Sequence, residues 1–178
     1  NLIDFKAHDL RDWSTDNYKS VDDTPYGGGA GMLMKIDIIY QALQAIKKNS
    51  KIKKEKRKII LLSASGQTWN QALAQKYSQL EEIIFICGRF EGVDARISNF
   101  IDEEISIGDY VLTGGELPAL VIMDSITRLL PGSLGNKISA LDESHSEPGV
   151  LEYPQYTKPA IFKAGRKEYK VPDILLSG

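Results

Sequence analysis

Three glycine-containing loops and a few charged side chains are the features of this sequence best suited to chemistry. The longest loop lies within residues 105–118, ISIGDYVLTGGELP, where three glycines separate an apolar segment from an amphipathic one. Glycine is favoured where the backbone needs a positive φ or must lie against another group. The spacing matches neither the dinucleotide fingerprint nor the phosphate-binding P-loop. The segment therefore predicts a ligand pocket of another kind.

Two shorter glycine loops, at residues 63–66 and 87–92, follow predicted strands earlier in the chain. A single loop of this kind is more often only a turn. In open α/β sheets, however, ligands bind outside the carboxyl ends of the strands. If the strands are adjacent and parallel, the three loops lie side by side. They would then form one pocket lined by backbone polar groups and by the rings of Phe90 and Tyr110.

Charged side chains near these loops have two interpretations each. Asp124 and Arg128 are four residues apart and share a helix face, where they could form a surface ion pair that contributes little to stability. Alternatively, Arg128 donates charge-assisted hydrogen bonds to a substrate oxygen. Glu91 either closes its turn or binds a ligand. His8 and His145 are isolated, so the spacing predicts no metal site, and no serine occupies a nucleophile elbow.

Regular elements that could position these loops alternate along the chain. Apolar runs predict strands at 58–63, 82–87 and 101–107, and apolar periodicity predicts helices at 36–46, 68–80, 93–100 and 117–130. Strands alternating with helices indicate an α/β fold with a parallel sheet covered by helices. Residues 132–157 lose this periodicity and are expected to form a linker or loop.

Composition limits the class of protein and its partners. The 178 residues carry a net charge of −2, which gives no overall attraction to nucleic acid. A single cysteine, Cys87, fits a reducing, cytoplasmic setting, and no apolar run is long enough to span a membrane. Residues 47–58 hold seven lysines and one arginine. This basic segment is interpreted as a solvated loop, or alternatively as a phosphate-contacting patch.

Several long motifs resemble one family, and the likeness covers the whole chain. The motifs are VDDTPYGGGAGM at 21–32, CGRFEGVD at 87–94, SIGDYVL at 106–112, GGELPA at 114–119 and YPQYTKP at 153–159. The sequence is similar to the bacterial tRNA (guanine-N1)-methyltransferases, the TrmD family, in the knotted SPOUT class. Relative to that family, it lacks the first strand and helix and most of the C-terminal tRNA-binding domain, so both ends are expected to be truncated.

The resemblance implies an architecture and a reaction. It implies an α/β, parallel-sheet SPOUT methyltransferase core with a deep trefoil knot over residues 1–131. Residues 132–157 would be an interdomain linker and active-site loop, and residues 158–178 the start of the tRNA-binding domain. The implied enzyme is a homodimer with active sites at the subunit interface. It would transfer a methyl group from S-adenosylmethionine to N1 of the guanosine immediately 3′ of the tRNA anticodon, in a reaction linked to Mg²⁺.

The resemblance also assigns residues to the site. Backbone contacts to the methyl donor are implied for Gly88, Ile107, Gly108, Asp109, Tyr110, Val111 and Leu112. The same pocket would be lined by Ser63, Glu91, Gly114 and Gly115. Arg128 matches the arginine that steadies guanine O6, while Asp22 and residues 26–31 would border the active site.

Two departures from the family pattern bear on these assignments. The general base is usually an aspartate in a Ser-x-x-x-Asp-Ser pattern, whereas residues 139–144 read SALDES. The matching position holds Glu143, with Asp142 beside it, and either carboxylate could be the base, with Glu143 narrowly favoured. Residues 63–66 read SASG where the family has Ser-Pro-Gln-Gly. The proline ring that would fix φ at the second position of this loop is therefore absent here.

Two alternative functions remain open at the level of sequence. One is another SPOUT enzyme that methylates a ribose 2′-hydroxyl. The other is a non-catalytic RNA-binding module that uses the basic segment, although the near-neutral net charge weighs against it.

Overall fold

A three-stranded parallel sheet lies in the larger of two units. The computed structural model describes residues 2–133, 144–145, 147 and 149–177. One unit comprises Asn1–Leu141 and the other Asp142–Gly178. The strands and α-helices are β1 (Asp22–Asp23), β2 (Leu33–Met34), α1 (Ile36–Asn49), β3 (Arg57–Thr68), α2 (Gln71–Tyr77), β4 (Glu82–Cys87), β5 (Glu103–Ser106), α3 (Glu116–Thr127), β6 (Ile161–Ala164) and β7 (Lys167–Lys170). Short 3₁₀ helices occupy Leu10–Trp13, Lys54–Lys56, Ala95–Asn99 and Asp173–Leu175.

The sheet has the strand order β4-β3-β5, and both strand pairs are parallel. Its central strand, β3, is buried on both faces. Ile59 and Leu61 pack with α1 on one face, and Ile60 and Leu62 pack with α2 and α3 on the other. The predicted α/β fold with a helix-covered parallel sheet is therefore confirmed.

β3 is longer than predicted because it leaves the sheet and returns. Leu62 and Gln67 both pair with Ile105 of β5, so residues 63–66 form a bulge between two stretches of the same ladder. The return stretch occupies positions 67 and 68, where a helix was predicted to begin. That helix instead starts at Gln71, because the Asn70 side chain accepts a hydrogen bond from Leu73 N at 3.0 Å.

Other boundaries also differ from the predicted ones. The basic segment is not one loop, since α1 continues to Asn49 and a 3₁₀ helix precedes Arg57 at the start of β3. The helix predicted at 93–100 is a 3₁₀ helix capped by Asp94, and the strand predicted at 101–107 is only Glu103–Ser106. Among the described residues, no helix has both the length and the hydropathy that a bilayer crossing requires.

The second unit contains an antiparallel hairpin of β6 and β7. Its strands are exposed along their whole length. Gly165 has a φ of 60° in the connecting turn, a conformation that glycine adopts without steric cost.

Glu103 on β5 connects three elements of the larger unit. The hydroxyl of Tyr77 donates a hydrogen bond to its carboxylate, and Lys58 Nζ lies 3.1 Å from Oε1. Burial alone would raise the pKa of Glu103, but the hydrogen bond from Tyr77 and the ammonium of Lys58 outweigh burial and lower it. Burial and the same hydrogen bond raise the pKa of Tyr77. The ionised carboxylate therefore stabilises the fold.

Replacing this carboxylate should give a pH-dependent loss of stability. Glu103→Gln should lower the free energy of unfolding by roughly 1 to 3 kcal/mol near neutral pH. Because the folded-state pKa lies below the usual 4.5, the difference should be complete above that pH and shrink as the pH falls through the folded-state pKa. Urea unfolding at several pH values measures it. The exposed Glu81→Gln is the control, and a difference independent of pH would contradict the assignment.

Candidate functional site

The loops that follow β4 and β5 meet at the carboxyl end of the sheet. Gly115 N donates a hydrogen bond to Gly88 O at 3.0 Å, and Arg89 forms an antiparallel bridge with Gly114. A Cβ on Gly115 would lie 2.6 Å from Cys87 Cα, so no larger residue fits without a backbone shift. The predicted side-by-side arrangement is confirmed for these two loops.

The bulge at residues 63–66 reaches the same end of the sheet. A Cβ on Gly66 would lie 2.5 Å from the backbone of Glu104 and Ile105, so glycine permits the bulge to lie against β5. Leu62, the last residue before the bulge, has its carbonyl oxygen 3.8 Å from a Cβ built on Gly88. All three loops therefore lie around the carboxyl ends of the three strands.

Residues 107–112 leave β5 through a turn held by a buried serine. Ser106 Oγ donates a hydrogen bond to Gly108 O at 3.0 Å and accepts one from Gly108 N at 3.2 Å. Beyond this turn the chain is open, since Tyr110 is 55% and Val111 is 86% exposed. Ile107 packs against the core, whereas Leu112 and Asp109 are accessible. The turn at Ser106 thus holds the start of the segment in place, and the backbone N–H and C=O groups after it are accessible.

An ion pair that the sequence did not predict joins two of the loops. Arg89 Nε donates to Glu116 Oε1 at 2.9 Å, and both side chains are about half exposed. Glu116 occupies the first turn of α3, where a carboxylate also favours the helix dipole. The glycine pair before Glu116 was the available signal, because the close approach to the 87–92 loop leaves no room for a side chain at Gly115.

Cys87 lies beside this pair but is poorly suited to act as a nucleophile. Burial, with a further contribution from Glu116, raises the pKa of its thiol to about 11. The thiol form therefore predominates near neutral pH, and the thiolate is the reactive form. Cys87 contributes to the junction of the loops as a packed residue.

Glu91 connects the site to the glycine-rich loop before β2. Its backbone N donates to Met32 O at 3.0 Å, and a Cβ on Gly31 would lie 2.3 Å from its Cγ. Met34 extends this connection, because its N donates to Gly92 O at 2.9 Å. Residues 26–31 therefore end close to Glu91, at the edge of the predicted pocket.

Arg128 follows the last turn of α3, and its N donates to Asp124 O at 3.1 Å. The helix is fixed from the sheet side, since Trp69 Nε1 donates to Ser125 Oγ at 2.9 Å. Trp69 N also donates to Ser106 O at 2.8 Å. The direction of α3, and with it the position of Arg128, thus depends on the stretch of chain that follows the bulge.

The remaining predicted residues are distributed as follows. Ser63 Oγ lies 2.8 Å from Ser65 Oγ at the exposed surface of the bulge. The two candidate bases, Asp142 and Glu143, lie outside the described residues. His8 contacts the Trp13 ring, and among the described residues no three or more His, Cys, Asp or Glu side chains form a metal-ligating cluster.

The arrangement is suited to binding a ligand with both polar and apolar parts. Backbone N–H and C=O groups of three loops provide hydrogen bonds, and the exposed rings of Phe90 and Tyr110 provide apolar surface. Because the three loops are fixed to one end of the sheet, a ligand that contacts them would meet groups already in position.

Comparison with known proteins identifies the family. The sequence model of the family described as tRNA (Guanine-1)-methyltransferase TrmD matches residues 1–178. Proteins named tRNA (guanine-N(1)-)-methyltransferase from Dictyoglomus turgidum and Enterococcus faecalis are 51% and 47% identical over 177 residues, 99% of this chain. The protein of that name from Heliobacterium modesticaldum is 49% identical over 179 residues, also 99% of this chain.

The chain spans 68% of the Dictyoglomus protein, 69% of the Enterococcus protein and 64% of the Heliobacterium protein, or about two thirds of the length of these relatives. The likeness includes all three loops of the site, because the match is continuous along the chain. This chain belongs to the TrmD family of tRNA (guanine-1)-methyltransferases.

Proposed function

We propose that the protein transfers a methyl group from S-adenosylmethionine to N1 of the guanosine immediately 3′ of the tRNA anticodon. The observation that carries this proposal is the junction of the 87–92 and 107–115 loops through Gly88 and Gly115. It provides a donor pocket in a chain whose family is named for guanine methylation of tRNA.

The residues at the junction fit the methyl donor. S-adenosylmethionine carries an adenine ring, hydroxyl groups and an amino-acid group, and the pocket has backbone donors and acceptors beside apolar surface. Contacts to it are assigned to Gly88 and residues 107–112, with Ser63, Glu91 and Gly114 lining the same pocket. When bound, the donor supplies an activated methyl group, so the protein has to position the target and move one proton.

The proton chemistry requires a base and a cation. Guanine N1 carries a hydrogen, which a general base must accept as the methyl group arrives. Glu143 is the favoured base and Asp142 the alternative. Negative charge then develops on O6, where Arg128 can stabilise it through a charge-assisted hydrogen bond. Positioning at the end of α3 supports this role for Arg128.

A knotted SPOUT topology is part of the proposal. Membership of the TrmD family supports this topology. Such threading would be an exception to the rule that chains avoid knots. The Ser106 turn and the Gly115 junction would then bound the threaded segment at its two ends.

A homodimer with shared active sites is also proposed. One face of α3 carries three exposed apolar side chains, Leu117, Leu120 and Val121, which are 61%, 53% and 49% exposed. An apolar helix face of this kind is typical of a protein–protein interface. Because α3 begins at the loop junction and ends near Arg128, a second subunit on this face would lie beside the donor pocket.

Two variants of the full-length protein should separate donor binding from methyl transfer. Gly115→Ala should abolish detectable donor binding in calorimetry, because its methyl group collides with Cys87 Cα. Arg128→Ala should retain most donor binding but lower methyl transfer more than tenfold, since it removes a charge-assisted contact made in the transition state. The methylated atom is identified by mass spectrometry of the nucleosides.

Gly114→Ala is the matched comparison for the first variant. The atoms nearest to its methyl group belong to the movable side chains of Glu116 and Arg89, so donor binding should weaken less. If Arg128→Ala turned over as fast as the unaltered protein, the role assigned to Arg128 would be wrong. Methylation of a ribose hydroxyl, or binding of RNA without any binding of donor, would overturn the proposed function.

The base can be assigned by comparing two isosteric variants. Glu143→Gln should slow single-turnover methyl transfer by about 10²-fold or more and flatten its rise with pH, because the proton acceptor is lost. Asp142→Asn should retain most activity and the original pH profile. A fully active Glu143→Gln protein would show that Asp142 or another group is the base.

Charge on the exposed face of α3 should disrupt the dimer. Leu120→Glu places a carboxylate where an apolar contact is expected, so light scattering should report a monomer while circular dichroism stays unchanged. Leu120→Met keeps the apolar character and should remain dimeric. Dimers of undiminished stability in Leu120→Glu would exclude this face as the interface.

A further inference from the structure

The basic segment, residues 47–58, concentrates positive charge in an otherwise acidic chain. It holds eight basic residues and one acidic residue, Glu55, which gives a net +7. Since the whole chain has a net charge of −2, the remaining residues together carry −9. The donor pocket and the proton chemistry use none of these lysines.

Most of these basic side chains have no acidic partner in the part of the chain that the structure describes. Arg57 pairs with Glu82 and Lys58 pairs with Glu103, and both are partly buried. The other six are exposed and form no ion pair with any of the described residues: Lys47, Lys48, Lys51, Lys53, Lys54 and Lys56. The segment therefore presents six solvated ammonium groups.

The backbone that carries these lysines is held in place. Arg57 forms an ion pair with Glu82 and donates from Nη2 to Ile52 O at 3.0 Å. Ser50 Oγ donates to the same Glu82 carboxylate at 3.1 Å. Glu81 N donates to Lys56 O at 3.0 Å. These contacts fix both ends of the 50–57 turn, so its charges are presented in a defined arrangement.

Helix capping accounts for only part of the charge. Lys47 and Lys48 lie in the last turn of α1, where cations favour the helix dipole. The four lysines at 51, 53, 54 and 56 lie beyond that helix and gain nothing from its dipole. Four clustered like charges repel one another, so a role in the folded monomer does not explain them.

The patch lies at the opposite end of the sheet from the donor pocket. It precedes Arg57, where β3 begins, whereas the loops of the site follow Leu62 and Cys87 at the strand ends. Six strand residues span about 20 Å. A ligand that reaches both places must therefore be large, which a folded RNA is and the methyl donor is not.

We infer that the basic segment is a second contact surface for tRNA, which binds the phosphate backbone of a helical stem remote from the target guanosine. Lysine ammonium groups bind phosphates as point charges without reading sequence. The segment has no aromatic residue on which unpaired bases could stack, which favours a stem over a single-stranded loop. This inference rests on the proposed function, because it takes tRNA as the substrate.

The salt dependence of tRNA binding tests the inference in the full-length protein. The test uses the triple variant Lys51→Gln, Lys53→Gln, Lys54→Gln. Each phosphate contact contributes about −0.9 to the slope of log affinity for tRNA against log salt concentration. The slope of the triple variant should therefore be shallower by about 2 to 3. The KM for tRNA should rise by about tenfold near physiological salt. The turnover at saturating tRNA and the affinity for S-adenosylmethionine should stay unchanged, because both depend on the other end of the sheet.

Arginine at the same three positions is the matched control. It keeps the charge and should restore the slope and KM, whereas a merely structural effect of losing lysine would persist. If the triple Gln variant kept the same salt slope and the same KM for tRNA, the inference that this segment contacts tRNA would be wrong. The proposed methyltransferase function would not be affected. Loss of binding to phosphatidylserine vesicles with tRNA affinity unchanged would likewise overturn the RNA assignment. Absence of methylation by the unaltered protein would instead overturn the proposed function, since tRNA binding is measured without donor.

Discussion

The close contact of Gly115 with the end of β4 is the constraint on which the site depends. Its N–H bonds to Gly88 O, and its Cα faces Cys87 without room for a side chain. Because Gly115 also caps α3, one small residue fixes where the second loop ends and where the helix begins. The Arg89–Glu116 pair lies across the same junction at the surface. An ion pair there contributes little to stability, but it orients the two loops relative to each other.

The sequence was sufficient for the pattern of elements and for the approach of the three glycine loops at one end of the sheet. Apolar runs at β3 and β4 identified buried strands, and glycines at strand ends placed the loops. The bulge after Leu62 could not be foreseen, since residues 67 and 68 pair with β5 only when that strand is already present. Pairing between distant segments overrode the local helical pattern there.

Side-chain partnerships at the site were the least predictable feature. The pair that joins the loops is Arg89 with Glu116, which are 27 positions apart in the sequence. Spacing along a helix predicts neighbours on that helix only. A pair between separate loops depends on their tertiary approach, which here depends on the absence of a side chain at Gly115.

Under the proposed function, the two ends of the sheet bind different parts of the reaction complex. The carboxyl end has glycine loops whose backbones are held against one another, which suits a ligand bound by backbone hydrogen bonds. The amino end has a turn and the end of α1, which together carry six exposed lysines without an ion pair to any described residue, and this suits a polyanion held by charge. Since charge attraction acts over about a Debye length and backbone contacts act only at hydrogen-bond distance, the amino end can capture a large substrate before the carboxyl end positions it. A near-neutral chain can therefore bind nucleic acid, because attraction depends on where charge is concentrated and not on its total.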